Sequence, residues 1–386
     1  MAGINHEAVK AFGEKGLHTE WNADHVQTGN HDCGKYQHLN HVIENRTSWP
    51  AGPVAGQIVY RTDYNDAYVW NGTLWQSLTP TATIVVAADG SGHTTDIQTG
   101  IDLLPAGGGV VMIKEGTYTI SVKININKDN VSIVGAGHST IITNSVNTTN
   151  LIDVGVGIDY FTLEGVVLSP NVFLGGTGCV LEFSGASTRS RVSGCWFDAW
   201  EPRGIGFAGA GEGIIVENCV FEEVTGAGPN YGILVSQTSH IYIRGNFFYG
   251  STNVYGVQVV GATSKYVSIM DNKFYNCHIP ISVIGQEEVT IIGNFIVGFT
   301  YGIWLSGAAN NIISGNKIEW GTAGILLEGG SDYNVMGNNR IINCDWGVVV
   351  NGAVEDKNLI VGNGLVGNTV ATLNNGTGTE IAHNTT

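Results

Sequence analysis

The chain has 386 residues, of which 55 are glycine, 8 are proline and 13% are charged. That balance excludes a disordered chain and a helical bundle, and it points to many short strands joined by tight turns. The formal net charge of -16, with 17 Lys and Arg spread along the chain, excludes a nucleic-acid groove, which needs clustered cations. No apolar run reaches the roughly 18 residues a membrane helix needs. The start MAGINHEAVK lacks a basic segment followed by an apolar one, so no signal peptide is expected and export would follow assembly into a particle. Six cysteines (33, 179, 195, 219, 277 and 344) include no C-x-x-C pair. Cys195 and Cys219 fall at similar points of successive units and read as small buried apolar residues.

Residues 1–80 form the first predicted region, polar and His-rich through NHDCGKYQHLNHVIENRTSWP. A metal site from His38 and His41, or from His31 with Cys33, matches no closed zinc spacing, so no metal is expected. Within residues 51–78 the strands IVYR and AYVW, with turns at Asp63 to Asp66 and at Asn71-Gly72, predict a small β-meander. Its Gly-Gln-strand and Tyr-x-Trp-x-Gly-x-x-Trp pattern resembles a module of phage tail fibres. That resemblance implies attachment to tail components and assembly as a homotrimer. A meander of this size has too small a core to stand alone, which favours oligomerisation on separate grounds.

Residues 81–130 read as a cap with the first strands. Ile97, Ile101 and Leu104 suit a short amphipathic helix, followed by the strand VVMIKEG. Such a helix would cover strand edges at the open end of a solenoid. Residues 131–370 carry two interleaved repeats, with 371–386 left as a tail or cap. In one repeat an apolar strand holds an Asn, at positions 246, 272, 294, 316, 339 and 363, spaced 26, 22, 22, 23 and 24 apart. In the other, segments such as YGIWLSG recur around Gly232, Gly256, Gly302 and Gly324. This spacing is too short for a βαβ unit and suits one coil of a parallel β-helix, read as two strands per coil. Ile303 and Leu305 should then point inward, Trp304 and Ser306 outward, and the asparagines should stack at an interior corner. The fold class is all-β: a single-stranded right-handed parallel β-helix with an N-terminal tail-fibre-like module. The opening block resembles the pectate-lyase-like superfamily, which includes polysaccharide lyases, pectin esterases, mannuronan epimerases and phage tailspikes.

Chemistry should sit on outward positions of the coils. Asp198, Glu201 and Arg203 in CWFDAWEPRG, with Glu222 and Glu223 in CVFEEV, form the candidate catalytic cluster. Aligning Cys195 with Asn218 puts Asp198 level with Phe221, and carboxylates on one wall suit glycosidic hydrolysis. Glu182, facing out in VLEFSG, would border the groove. Trp196, Trp200, Tyr249, Tyr275 and Trp304 are the expected sugar-binding side chains. The outward aromatics are placed at Trp196, Phe221, Phe247, Tyr249, Tyr275, Phe295 and Trp304. The Phe-rich column fits a trimer interface at least as well as a sugar platform.

The resemblance implies a virion tailspike-like protein that binds host-surface polysaccharide and cleaves it outside the cell. A free lyase, hydrolase or epimerase and a catalytically silent adhesin are the alternatives. Neither nucleic acid nor a membrane is an expected partner. No cofactor is expected, with calcium entering only for a lyase.

Overall fold

The computed structural model describes residues 43–62, 66–73, 75–78, 82–146, 149–171, 178–198, 202–222, 229–261 and 263–386. The His-rich stretch with His31, Cys33, His38 and His41 lies outside the described residues. The chain divides into two compact units, the first ending at Gln76 and the second starting at Ser77. In the first unit, strands Glu44–Arg46, Ile58–Arg61, Asp66–Trp70 and Trp75–Ser77 form one sheet in that order. Its first pair is parallel, with Glu44 opposite Val59. Trp49 stacks on Trp75 at 5.1 Å and receives the Arg61 guanidinium at 4.2 Å. Aromatic stacking thus supplements a small apolar core.

The second unit is a right-handed parallel β-helix of about twelve coils. Most coils have three strands where two were expected. The segment IYIRGNFFY is two strands, Tyr242–Arg244 and Phe247–Tyr249, because Gly245 at φ +65 turns the chain just before the corner Asn246. The Tyr242–Arg244 series forms the first column, a sheet of 13 strands. The Phe247–Tyr249 series forms the second column and strands such as Val254–Val260 the third. These two belong to one 20-stranded sheet, because Phe295–Ser306 and Lys317–Glu328 each run through both without a break. Neighbouring coils pair in parallel and in register, as in Tyr242↔Ser268 and Phe248↔Phe274.

The expected Asn column is a buried ladder. Asn272 accepts at Oδ1 from Asn246 Nδ2 at 3.0 Å and donates from Nδ2 to Asn294 Oδ1 at 3.1 Å and to the Ile243 carbonyl at 2.9 Å. The pattern continues through Asn316, Asn339 and Asn363. A second ladder, Asn311, Asn334 and Asn358, stands at another turn, and its spacing is legible in the same sequence. Both satisfy turn carbonyls that would otherwise be buried without donors.

Ile303 and Leu305 point inward and are fully buried, while Trp304 and Ser306 face out. Phe221 is not outward: it is 0% exposed and stacks between Phe197 and Phe248 at 4.6 and 4.7 Å. This interior phenyl stack accounts for the repeated glycines of the third column, since a Cβ at Gly256 would lie 2.6 Å from the Phe274 ring. Cys195 and Cys219 are buried and unbridged, as read from the sequence. Helix Ile97–Leu103 is capped by Asp96, which accepts from the Thr99 N–H at 2.7 Å. Ile97 and Ile101 are buried, and the Lys128 ammonium binds the carbonyls of Ile101, Asp102 and Leu104 at the helix C-terminus.

On the first column the nearly buried Glu217 accepts from Arg191 and Arg244, each at 2.7 Å. Burial opposes its ionisation, but the two guanidinium bonds outweigh it and hold the carboxyl below its ordinary range. A lowered folded pKa contributes stability above the ordinary carboxylate range and loses it as pH falls through the lowered value. Glu217→Gln should therefore lower the thermal midpoint at pH 7 and flatten its fall in acid. Equal acid limbs for the two proteins in a pH series of melts would remove Glu217 from the acid response.

Candidate functional site

The sequence-derived residues fall on two outward faces. On the second column the register runs Asp198↔Glu222↔Tyr249↔Tyr275. Asp198 is therefore level with Glu222, not with Phe221, because Cys195 aligns with Cys219. Asp198 accepts from the Ser169 hydroxyl at 2.9 Å, and Trp196 lies on the same face, edge-on to His138 at 4.5 Å. Trp196 and His138 help to line a small cavity of about 110 Å³. Tyr249 stacks on Tyr275 at 5.6 Å, and Phe247 stacks on Tyr275 at 5.0 Å. Their ring faces are turned to one another from coil to coil. Trp200, Glu201 and Glu223 lie outside the described residues.

The other face belongs to the third column and holds Glu182, Arg203 and Trp304. Glu182 points away from the interior yet is only 8% exposed. It pairs across the coils with Asp153, a residue the sequence reading missed. Adjacent coils rise about 4.8 Å, which places the two residues on neighbouring rungs of the same column. Asp153 accepts from the Lys123 ammonium and from the Ser184 hydroxyl. Glu182 accepts from the Cys179 thiol, and Arg203 approaches that sulfur at 4.0 Å. Burial pushes the Glu182 carboxyl above its ordinary range and the nearby Asp153 charge adds to this, against the pull of the Cys179 bond, Arg203 and Lys123. Burial and Glu182 also push the Cys179 thiol up, which keeps it a neutral donor. An acid held toward its protonated form beside an ion-paired carboxylate is the arrangement acid-assisted bond cleavage requires.

The same face continues with aromatic and polar side chains. Tyr231 and Tyr255 follow Arg203 on successive coils, 5.2 Å apart. Gln258 donates to Ser282 at 3.1 Å, and the Trp304 indole donates to Glu328 at 3.0 Å. Tyr301 and Trp304 pack on a separate apolar cluster of Ala323, Leu326 and Val349. Among the described residues, no group of three or more His, Cys, Asp or Glu is placed to hold a metal ion. No described helix is long and apolar enough to cross a membrane.

Two family descriptions match parts of the chain: pectinesterase over residues 83–164, and periplasmic copper-binding protein (NosD) over residues 201–386. Among curated proteins, a probable pectinesterase/pectinesterase inhibitor of Arabidopsis thaliana is 40% identical over 68 residues, 16% of this chain and 13% of that protein. A second probable pectinesterase from the same plant is 28% identical over 122 residues, 31% of this chain and 40% of that protein. The chain thus spans less than half the length of either relative. Among solved structures, a hyperthermoactive exopolygalacturonase from Thermotoga maritima aligns with a TM-score of 0.59 and 14% identity, over 72% of this chain and 84% of that one. A tailspike protein mutant of E. coli bacteriophage HK620 aligns with a TM-score of 0.56 and 15% identity, over 74% and 60%. The fold is the pectin-lyase-like right-handed parallel β-helix.

Proposed function

We propose that this pectin-lyase-like β-helix binds an extracellular polysaccharide along its third column and hydrolyses it at Glu182 and Asp153. The observation that carries this reading is Glu182, a buried carboxyl held toward its protonated form on the coil beside an ion-paired Asp153. Glu182 would donate its proton to the leaving glycosidic oxygen. Asp153 would attack the anomeric carbon and form a glycosyl ester, which water then cleaves with Glu182 acting as base. Because Asp153 itself would attack, the product should retain the anomeric configuration. Arg203 and Lys123 would orient both carboxyls, while Tyr231, Tyr255, Tyr301 and Trp304 would carry the sugar chain. The Asp198–Glu222 pair also occupies adjacent coils. The third column is favoured because burial there holds Glu182 toward its protonated form. The test is release of reducing ends from capsule, lipopolysaccharide O-chain and polygalacturonate, which Glu182→Gln should abolish. Tight binding without release would leave an adhesin.

The tail-fibre-like module and the β-helix fold, taken together, support a protein of a phage-type tail that acts outside the cell as a homotrimer. In that assembly the face bearing Val220, Phe247, Tyr249, Tyr275 and Phe295 would lie between subunits. Its aromatic rings touch along successive coils, with Lys273 in register between Phe247 and Phe295, and a face this rich in rings favours burial against another copy. Sedimentation velocity should give the mass of three chains, and Phe247→Asp with Tyr275→Asp should give one. A monomeric wild-type chain would rule the trimer out.

A further inference from the structure

The turn between the second and third columns carries an outlier. Along this turn Asn276, Gly298, Trp320, Asn343 and Gly367 stand on successive coils, all with φ between +54 and +72. Asn and Gly tolerate that conformation, whereas an indole in it is strained. Trp320 is nonetheless 61% exposed, so burial in the core does not account for the strain. Backbone strain of this kind persists where a site depends on the side chain.

Gly298, one coil before Trp320, lines a cleft of about 500 Å³ whose other walls include Ser251, Thr252, Asn276, His278 and Thr300. The Thr300 hydroxyl lies 2.9 Å from His278 Nδ1, and the Tyr255 ring meets His278 edge-on at 6.1 Å. The lining offers hydroxyl, amide and imidazole groups and contains no Asp, Glu, Lys or Arg. An exposed indole one coil beyond Gly298, together with such a lining, matches a pyranose, with one apolar ring face and a rim of hydroxyls.

We infer that Trp320 and this cleft form a second glycan subsite, which holds an uncharged segment of the polymer away from the reacting bond. The inference rests on the glycan reading above and extends it. The cleft lies about four coils beyond Glu182, or roughly 19 Å along the axis. Polymers long enough to span both places gain affinity from it, and short oligosaccharides do not.

The test is affinity electrophoresis of the full chain carrying Glu182→Gln, to prevent cutting, in gels of dextran, laminarin, xyloglucan and lipopolysaccharide O-chain. At least one gel should retard this parent. Adding Trp320→Ala should weaken the retardation about tenfold, equivalent to one well-made contact. Adding Trp320→Gly should weaken it equally while raising the thermal midpoint, because glycine accepts the positive φ without strain. Equal retardation of the parent and Trp320→Ala overturns this subsite and leaves the glycan reading standing. A lower midpoint in Trp320→Gly overturns the strain argument and the subsite with it. No retardation of the parent in any gel overturns both the subsite and glycan binding. Binding by the parent, with no cutting by wild type, removes the hydrolase reading and keeps the subsite.

Discussion

Asn294→Ala is expected to destabilise the β-helix by about 4 kcal/mol, given a desolvation cost of roughly 1–3 kcal/mol for each buried polar group left without a partner. Asn294 Nδ2 donates to the Ile269 and Ile292 carbonyls and to Asn316 Oδ1, while its Oδ1 accepts from the backbone N–H and the side-chain amide of Asn272. Alanine removes every one of these partners at a site with 0% exposure, where no water replaces them. The damage should also spread, because the amides of a ladder polarise one another and the loss of one rung weakens both neighbours. Asn351 is exposed on a turn, and Asn351→Ala should leave the melt unchanged. Thermal midpoints at one fixed scan rate compare the three proteins, since long repeat folds need not unfold in two states. Similar midpoints for Asn294→Ala and Asn351→Ala would mean that the ladder carries little of the stability.

Glu182→Gln is expected to lower the rate of polysaccharide cleavage about a thousandfold, within the range for loss of a general acid. Gln cannot deliver a proton, although it keeps an oxygen for the Cys179 thiol and nearly the same volume. Activity of the wild type should persist above the ordinary carboxylate range and fall as Glu182 ionises. The stability effect has the opposite sense. A group whose folded pKa is raised contributes stability in full below its unfolded pKa and loses it as pH rises through the folded value. At neutral pH the wild type bears this loss, so Glu182→Gln should melt at a higher temperature than wild type, and the two midpoints should converge in acid. An activity loss accompanied by a lower neutral midpoint would indicate structural damage in place of a missing proton.

The Asn period made the coil repeat legible, because the buried amide ladder sets Asn at equivalent points from Asn246 to Asn363 and so marks each of those coils. It did not mark the strand count, since a positive-φ residue before each Asn breaks one apparent strand in two. The Phe221 misplacement came from aligning Cys195 with Asn218 in place of Cys219. In a strand, a slip of one residue exchanges the inner and outer faces. Asp153 was hidden for a different reason. The coil from Asp153 to Glu182 is longer than the 22 residues separating Asn272 from Asn294, so the later period gave no register there. Only its place between Ile152 and Val154 on a buried strand hinted at an acid kept on the outward face. Trp320 was invisible as a site because its strain exists only in backbone angles.

The most direct measurement is a time course of reducing-end release from one susceptible polysaccharide by wild type, Glu182→Gln and Glu222→Gln, with the product anomer read by NMR. Cleavage on the third column predicts that Glu222→Gln matches wild type, that Glu182→Gln is nearly inert and that the first-formed anomer has the starting configuration. An inert Glu222→Gln beside an active Glu182→Gln would move the chemistry to the second column and contradict the proposed site.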